Sequence, residues 1–357
     1  MKTLTIGGLF SGIGAHASAC DRLASDEIAF KVAFQCEFDE KTARAYNMIH
    51  GDTPNLGDIT KVKNLNAHPV DILFHTPPCQ DISQANRQRA GCEEGSGTRS
   101  ALMFEVVRIL RATDRDKLPK YLVMEEVSTL AGKYKPFLDD LLGQLSDLGY
   151  SHNYANMNAK DYGIPQNRRR LIVISKLNGN APGIPERMPL DHGMGAYLES
   201  DVPQRYFISN ARFEGLISST EKEKAKGYGF AFSMADREGV AHCITTRVVG
   251  RKTDNYVLEQ VGTLDIKDYD KNKRVYDTAG LVPTITARSN HQPKILNGSV
   301  RRITEREAWR LMGYTDAEFD SVKGAFCMTQ LYKFAGNSVC VCVFQAVLKQ
   351  IIEDVKE

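Results

Sequence analysis

The chain has 357 residues, 42% hydrophobic and 25% charged, enough for one large globular domain or two moderate ones. Its net charge of +2 gives no overall basic signal for nucleic acid, although a basic face can still form locally. No run approaches the roughly 18 apolar residues of a membrane span, the N-terminus lacks a signal-peptide plan, and eight cysteines without paired Cys-x-x-Cys spacing fit a reducing cytosol better than a disulfide framework or a metal site.

In chain order, strand-like apolar runs cover Thr3 to Phe10, Phe30 to Cys36, Asp71 to Phe74, Tyr121 to Met124 and Leu171 to Ile174, with helical stretches between them. Such alternation predicts a parallel sheet with helices on its faces. The clearest helix carries Leu138, Leu141, Leu142, Leu145 and Leu148 on one face and stops at Gly149. From about Leu177 Gly and Pro become frequent and helical periodicity fades, which predicts a second, irregular domain with short β-like runs. Helices return at Thr304 to Met312 and from Ser338 to Val355. Cys340 and Cys342, two apart on that last helix, do not share a face and read as packing residues. Within the middle region, Gly239 to Arg247 and Gly280 to Arg288 share a frame of Gly, apolar residues and Ile-Thr-x-Arg. The frame reads equally as two amphipathic edge strands or as two units that present hydroxyls and a guanidinium to phosphates.

Several segments carry candidate chemistry. Phe10-Ser11-Gly12-Ile13-Gly14 closes the first strand, and its glycines let a ligand approach the backbone. Glu37 ends the next strand, where an acid commonly holds ribose hydroxyls. Together they favour a nucleoside cofactor over a plain turn. Asp58 reads locally as a cap or turn residue that also has an acceptor to offer an adenine amino group. Thr76-Pro77-Pro78-Cys79-Gln80 places a thiol just past a buried strand, on a loop stiffened by two prolines, which makes Cys79 a candidate nucleophile. Glu125-Glu126 ends the following strand. Adjacent glutamates usually mark a solvated loop, but a buried one with a raised pKa serves as a proton donor. In Gln166-Asn167-Arg168-Arg169-Arg170, alternate arginines Arg168 and Arg170 face the same side of a strand.

By order, spacing and residue type, these segments resemble the cytosine-C5 DNA methyltransferases. The matches are Phe10 to Gly14, Pro78 to Gln80, Glu125 to Val127, Gln166 to Arg170, Arg306 to Leu311 and Gly336 to Val339. The resemblance covers both ends of the chain and leaves roughly 178–300 without strong matches, where family members carry a variable target-recognition domain. It implies an α/β, Rossmann-like, S-adenosylmethionine-dependent methyltransferase domain with a smaller, irregular β-rich recognition domain. The expected division is 1–177, 178–325, and a segment 326–357 that returns to the catalytic domain.

The resemblance implies a role for each residue. The Cys79 thiolate adds to cytosine C6 and makes C5 nucleophilic. Protonated Glu125 bonds N3 and selects the exocyclic amine, Arg168 takes the O2 edge, and Arg170 supports the same pocket. For S-adenosylmethionine, Phe10 packs on the adenosine or sulfonium region, Gly12 and Gly14 admit the methionine moiety, Glu37 takes the ribose and Asp58 the adenine. Asn337 and Ser338 reach the methionine end, and Pro78 belongs to the same site. Gln80, Arg247, Thr284, Thr286 and Arg288 are expected on DNA, and Asp81 to Arg99 is expected to close over a flipped base. Implied partners are double-stranded DNA and a separately acting cognate restriction endonuclease, for a monomeric cytoplasmic protein with no metal and no membrane contact. The alternatives are an RNA (tRNA) cytosine-C5 methyltransferase, against which the long middle region argues, and a non-catalytic DNA-binding relative, against which intact Cys79, Glu125 and Arg168 argue. The chain departs from the family pattern at Glu126, where Asn is usual, and at Arg99-Ser100-Ala101-Leu102, where Arg-Gly-x-Leu is usual. The first departure puts the hydrogen bonding of the cysteine loop in doubt.

Overall fold

The computed structural model describes residues 1–79, 81–82, 98–224, 235, 237–246, 254–258, 260–263, 274–276, 294–295 and 300–356. Its centre is a six-stranded sheet built from β1 (Lys2–Leu9), β2 (Ile28–Phe34), β3 (Ile72–His75), β4 (Tyr121–Val127), β5 (Tyr150–Asn158) and, after a short β6 (Gln166–Asn167), β7 (Arg169–Leu177). The order across the sheet is β2-β1-β3-β4-β7-β5. The first four strands are parallel, but β7 runs antiparallel to both neighbours, so the fully parallel sheet expected from the alternation is corrected to a mixed one. β5 follows the helix Lys135–Ser146 through a tight turn at Gly149 (φ 98°), whereas only a short connection, without a crossover helix, leads from β5 to β7, which therefore returns antiparallel. The polar sequence of β5, half-exposed at the sheet edge, gave no strand signal.

β3 and β4 are buried along their whole length, as expected where both sheet faces are covered. Alternation sends Ile72, Phe74, Tyr121 and Val123 to one hydrophobic cluster and Leu73, Leu122 and Met124 to the other. Helices α1 (Ala15–Leu23) and α2 (Glu40–His50) follow β1 and β2, while α3 (Met103–Arg111) and α4 (Lys135–Ser146) fill the second cluster. In α4 the expected stripe holds: Leu138, Leu141 and Leu145 are fully buried. The middle region contains α5 (Asn210–Lys224), a helix that the fading periodicity did not predict.

The C-terminal part is helical: α6 (Glu305–Leu311), α7 (Asp316–Val322), α8 (Met328–Asn337) and α9 (Val341–Lys356). Thr304 with Glu307 and Thr315 with Glu318 form capping boxes that start α6 and α7. Trp309, Leu311 and Phe319 share one cluster with Ile6 and Phe74 of the sheet, so an expected boundary at 325 does not coincide with an edge of that core. α9 lies on the same face, with Phe344 against Phe74 (4.9 Å between ring centroids) and Asp354 bound to Tyr121 and Lys176. Residues 328–356 are apolar enough on average to cross a membrane, but they form two helices, and 61% of their apolar window is buried in this core.

Arg301 and Glu307 form a bidentate ion pair with no exposure (2.8 and 2.9 Å). Removing one partner strands a buried charge at a cost of about 3–5 kcal/mol. Glu307→Ala, which also loses the cap of α6, is therefore expected to lower the urea midpoint strongly, while exposed Lys135→Ala is expected to leave it within error.

Candidate active site

The Phe10–Gly14 turn leaves the carboxyl end of β1 with three positive φ angles: Phe10 57°, Gly12 55° and Gly14 85°. The two glycines serve different ends. A Cβ on Gly12 would meet nothing within 4 Å, so this backbone faces open space. A Cβ on Gly14 would lie 2.5 Å from His50 Nε2 and 2.7 Å from Tyr46, so Gly14 is required for packing α1 against α2. Glu37 Oε2 accepts from the Gly12 amide (3.0 Å) and Oε1 from the Asp39 amide (2.9 Å), which anchors the carboxyl beside that open backbone. Burial raises its pKa against these bonds. Phe38, next in sequence, is 77% exposed, and the sequence reading overlooked it. The available signal was an aromatic directly after the strand-ending acid. Asp58 caps a short turn through Thr60, as its local reading predicted.

Cys79 follows β3 and is half-buried against the cluster of Leu73 and Met124. Thr76 donates to the Phe10 carbonyl (2.8 Å), so the cysteine segment and the glycine turn are bonded side by side. Burial pushes the Cys79 thiol up to about 12. Glu126 and Glu125 push the same way, and Arg170 and Arg168 pull it down.

Glu125 and Glu126 are both buried within β4, not in a solvated loop. Alternation sends them to opposite faces. The register sets Arg170 opposite Val127, two positions from Glu125 on the same face, and Arg170 Nε reaches Glu125 Oε1 at 3.0 Å. Burial raises the pKa of Glu125, and both arginines oppose it. Glu126 is 1% exposed. Its Oε2 accepts from the Val127 amide (2.7 Å), and Oε1 is buried without a partner among the described residues.

The two arginines divide their work differently from the expectation. Arg168 is 4% exposed, and two of its guanidinium nitrogens bind backbone carbonyls, Ile244 (2.8 Å), Ser338 (2.7 Å) and Gly336 (3.1 Å), while Nε is buried without a partner among the described residues. Arg170 is the one that faces Glu125. Gln166 adds to the same seam, accepting from the Ile244 amide (3.0 Å) and donating to the Leu311 carbonyl (2.7 Å). The first repeat copy is thereby docked, with Ala241–His242 paired parallel to β6. Cys243 Sγ lies 3.5 Å from Arg168 Nη1, and although burial raises its pKa, the two arginines prevail and lower it. Ser338 is turned inward, with its hydroxyl on Tyr314 (2.6 Å), whereas Asn337 is exposed. Gln80, Arg247, Thr284, Thr286, Arg288 and 83–97 lie outside the described residues.

A glycine turn, a thiol and a carboxyl–guanidinium pair thus meet at the carboxyl edge of parallel strands. Comparison with known proteins identifies the class. The C-5 cytosine-specific DNA methylase family matches residues 4–353. The chain belongs to this family. It is 32% identical to the type II methyltransferase M.HpaII of Haemophilus parainfluenzae over 97% of the chain and 88% of that protein. It is also 32% identical to M2.ScrFI of Lactococcus lactis subsp. cremoris, over 84% of the chain and 71% of that protein. The fold matches Entamoeba histolytica methyltransferase EhMeth (TM-score 0.74, 19% identity, all of both chains) and S. pombe Dnmt2 methyltransferase (TM-score 0.68, 18% identity, 99% and 100%). The protein is a DNA (cytosine-5-)-methyltransferase with a Rossmann-like catalytic fold, and it acts on DNA. For this methylase, Glu126 in place of the usual Asn brings a buried acid into the site without a bond to the cysteine loop among the described residues.

The pKa of Glu126 stands well above its ordinary 4.5, first because of burial, with the Val127 amide opposing it and Glu125 adding to it. Between these values the folded protein holds a proton that the unfolded chain has released. Stability therefore falls as pH rises through that window, by roughly 1.4 kcal/mol per pH unit. Glu126→Gln is expected to flatten the fall and to exceed the parent in urea midpoint at pH 8 but not near pH 4. Parallel pH curves for the two proteins count against a neutral Glu126.

Proposed function

We propose that Cys79 forms the covalent bond to cytosine C6, with Glu125 and Arg170 holding the opposite edge of the ring. The observation that carries this reading is the Glu125–Arg170 pair in the same electrostatic cluster as the Cys79 thiol. A raised pKa suits Glu125 to carry the proton that N3 needs as the thiolate adds to C6. Arg170, whose charge is held at that edge, is assigned to O2, where negative charge develops. Arg168 is assigned to holding the wall of the pocket. Burial disfavours the thiolate, and Arg170 and Arg168 are assigned to favouring it for attack.

The open backbone at Gly12, the anchored Glu37 carboxyl and the exposed Phe38 ring fit S-adenosylmethionine. Bound there, it supplies an electrophilic methyl group to C5. Phe10 and Gly12 line the approach, Glu37 accepts from the ribose, Phe38 stacks on the adenine and Asp58 accepts from its amino group. Pro78 and Asn337 close the methionine end, and Ser338, whose hydroxyl, amide and carbonyl are all engaged, fixes the turn behind them. Loss of the C5 proton to a base then breaks the C6–S bond and returns the Cys79 thiolate.

The target base is flipped from double-stranded DNA, at a cost of a few kcal/mol. Gln80, Arg247, Thr284, Thr286 and Arg288 are assigned to DNA. Docking of Ala241–His242 beside β6 supports the assignment of the first repeat copy to DNA. The relatives' type II names favour a cognate restriction endonuclease acting separately, and the protein is read as a monomer in the cytoplasm.

Cys79→Ser is expected to abolish methylation while DNA binding persists. Bisulfite sequencing of DNA from expressing cells reports both the loss and the flanking site. Any retained cytosine methylation removes Cys79 from the mechanism. Arg170→Ala is expected to lower kcat by about 100-fold or more and, because it leaves the buried Glu125 carboxyl without its cation, to lower the thermal midpoint. Arg168→Ala is expected to lower the thermal midpoint as well, because three carbonyls lose a charged donor.

A further inference from the structure

Something must hold the Cys79 loop where Glu126 does not. The loop's bonds converge on Ser100, which has no exposed surface. Its hydroxyl donates to the Pro78 carbonyl at 2.9 Å and accepts from the Asp81 amide at 3.3 Å. One side chain therefore binds the backbone on both sides of Cys79. Asp81 closes the arrangement from the other direction: its Oδ2 accepts from the Arg99 amide (2.8 Å) and the Ser100 amide (3.3 Å). The Ile82 amide returns to the Cys79 carbonyl at 3.3 Å, and Thr129 donates to the Ile82 carbonyl at 2.8 Å. Glu126 contributes no bond to these residues: one carboxyl oxygen is taken by the Val127 amide, and the other has no partner among the described residues.

We propose that Ser100, braced by Asp81, is the positioning residue that fixes the Cys79 loop for attack on cytosine. The proposal rests on the reading of Cys79 as the nucleophile. A glycine at position 100 supplies no hydroxyl, so the two departures of this chain, Ser100 and Glu126, belong to one arrangement. The loop is tied from the segment before α3 instead of from β4. A hydroxyl that fixes two peptide groups restricts the swing of the thiol without touching substrate. Its loss is therefore felt in the chemical step and not in binding, because a small misplacement of a nucleophile has a large cost in rate.

Ser100→Ala in the full chain is expected to lower kcat at least tenfold while KM for DNA and for S-adenosylmethionine stays within twofold. Asp81 provides a second lever that does not disturb a buried position. Asp81→Ala is expected to lose turnover, and Asp81→Asn, which keeps an oxygen to accept from the two amides, is expected to recover most of it. Wild-type kcat in Ser100→Ala, or a drop in its thermal midpoint alone, overturns the proposal. So do equal losses in Asp81→Ala and Asp81→Asn, which also decide the matter if Ser100→Ala does not fold. Cys79→Ser run alongside separates the two readings. Activity in that variant refutes the role of Cys79. An inactive Cys79→Ser beside a fully active Ser100→Ala refutes only the positioning role.

Discussion

The guanidinium of Arg168 holds the site together. Through two nitrogens it binds the carbonyls of Ile244, Gly336 and Ser338, which lie 76, 168 and 170 residues away in sequence. A charged donor to a buried carbonyl contributes about 1.5–3 kcal/mol, and the bonds to Ile244 and Ser338 also satisfy buried backbone oxygens. The close approach depends on Gly336, since a Cβ there would lie 2.4 Å from the carbonyl carbon of Thr245. One arginine thus draws the middle region and the α8–α9 junction against the edge strands of the sheet. Because β7 alternates, Arg170 emerges on the same side, free of that duty and aimed at Glu125.

The Glu125-Glu126 pair illustrates how one strand makes two different acids from neighbouring identical residues. Glu125 meets a guanidinium on its face, while Glu126 faces an apolar cluster with only one amide for company. Both carry raised pKa values through burial, but only Glu125 has a cation to moderate the shift at bonding distance. The difference separates an acid poised to exchange a proton with a base from an acid that burial holds neutral. A DNA methylase with this pair needs its cysteine loop secured elsewhere, and the Ser100–Asp81 bonds lie where that need arises.

The antiparallel insertion of β7 beside β4 has a functional consequence. A parallel strand at that place would carry its arginines toward the opposite edge of the sheet. Running in reverse, β7 enters the sheet at the same edge where β3 and β4 end, so its first residues stand beside Glu125 and the Cys79 segment. The mixed topology is therefore what unites groups that are about 90 residues apart in the chain.

Local chemistry was enough for the sequence to determine much of this protein. The buried strands β3 and β4, the leucine stripe of α4, the glycine turn after β1 and the candidate nucleophile each announce themselves within a few residues, because apolar runs, periodicity and proline act over short range. The polar edge strand β5 and the helix α5 carried no such signal. Tertiary structure alone decided the reversed direction of β7, the packing role of Gly14 against His50, and the division of labour between Arg168 and Arg170. Each of these depends on which distant carbonyl, ring or carboxyl fills the space opposite a side chain. Strand alternation places two arginines on one side, but it does not say which of them finds three backbone oxygens and which finds an acid.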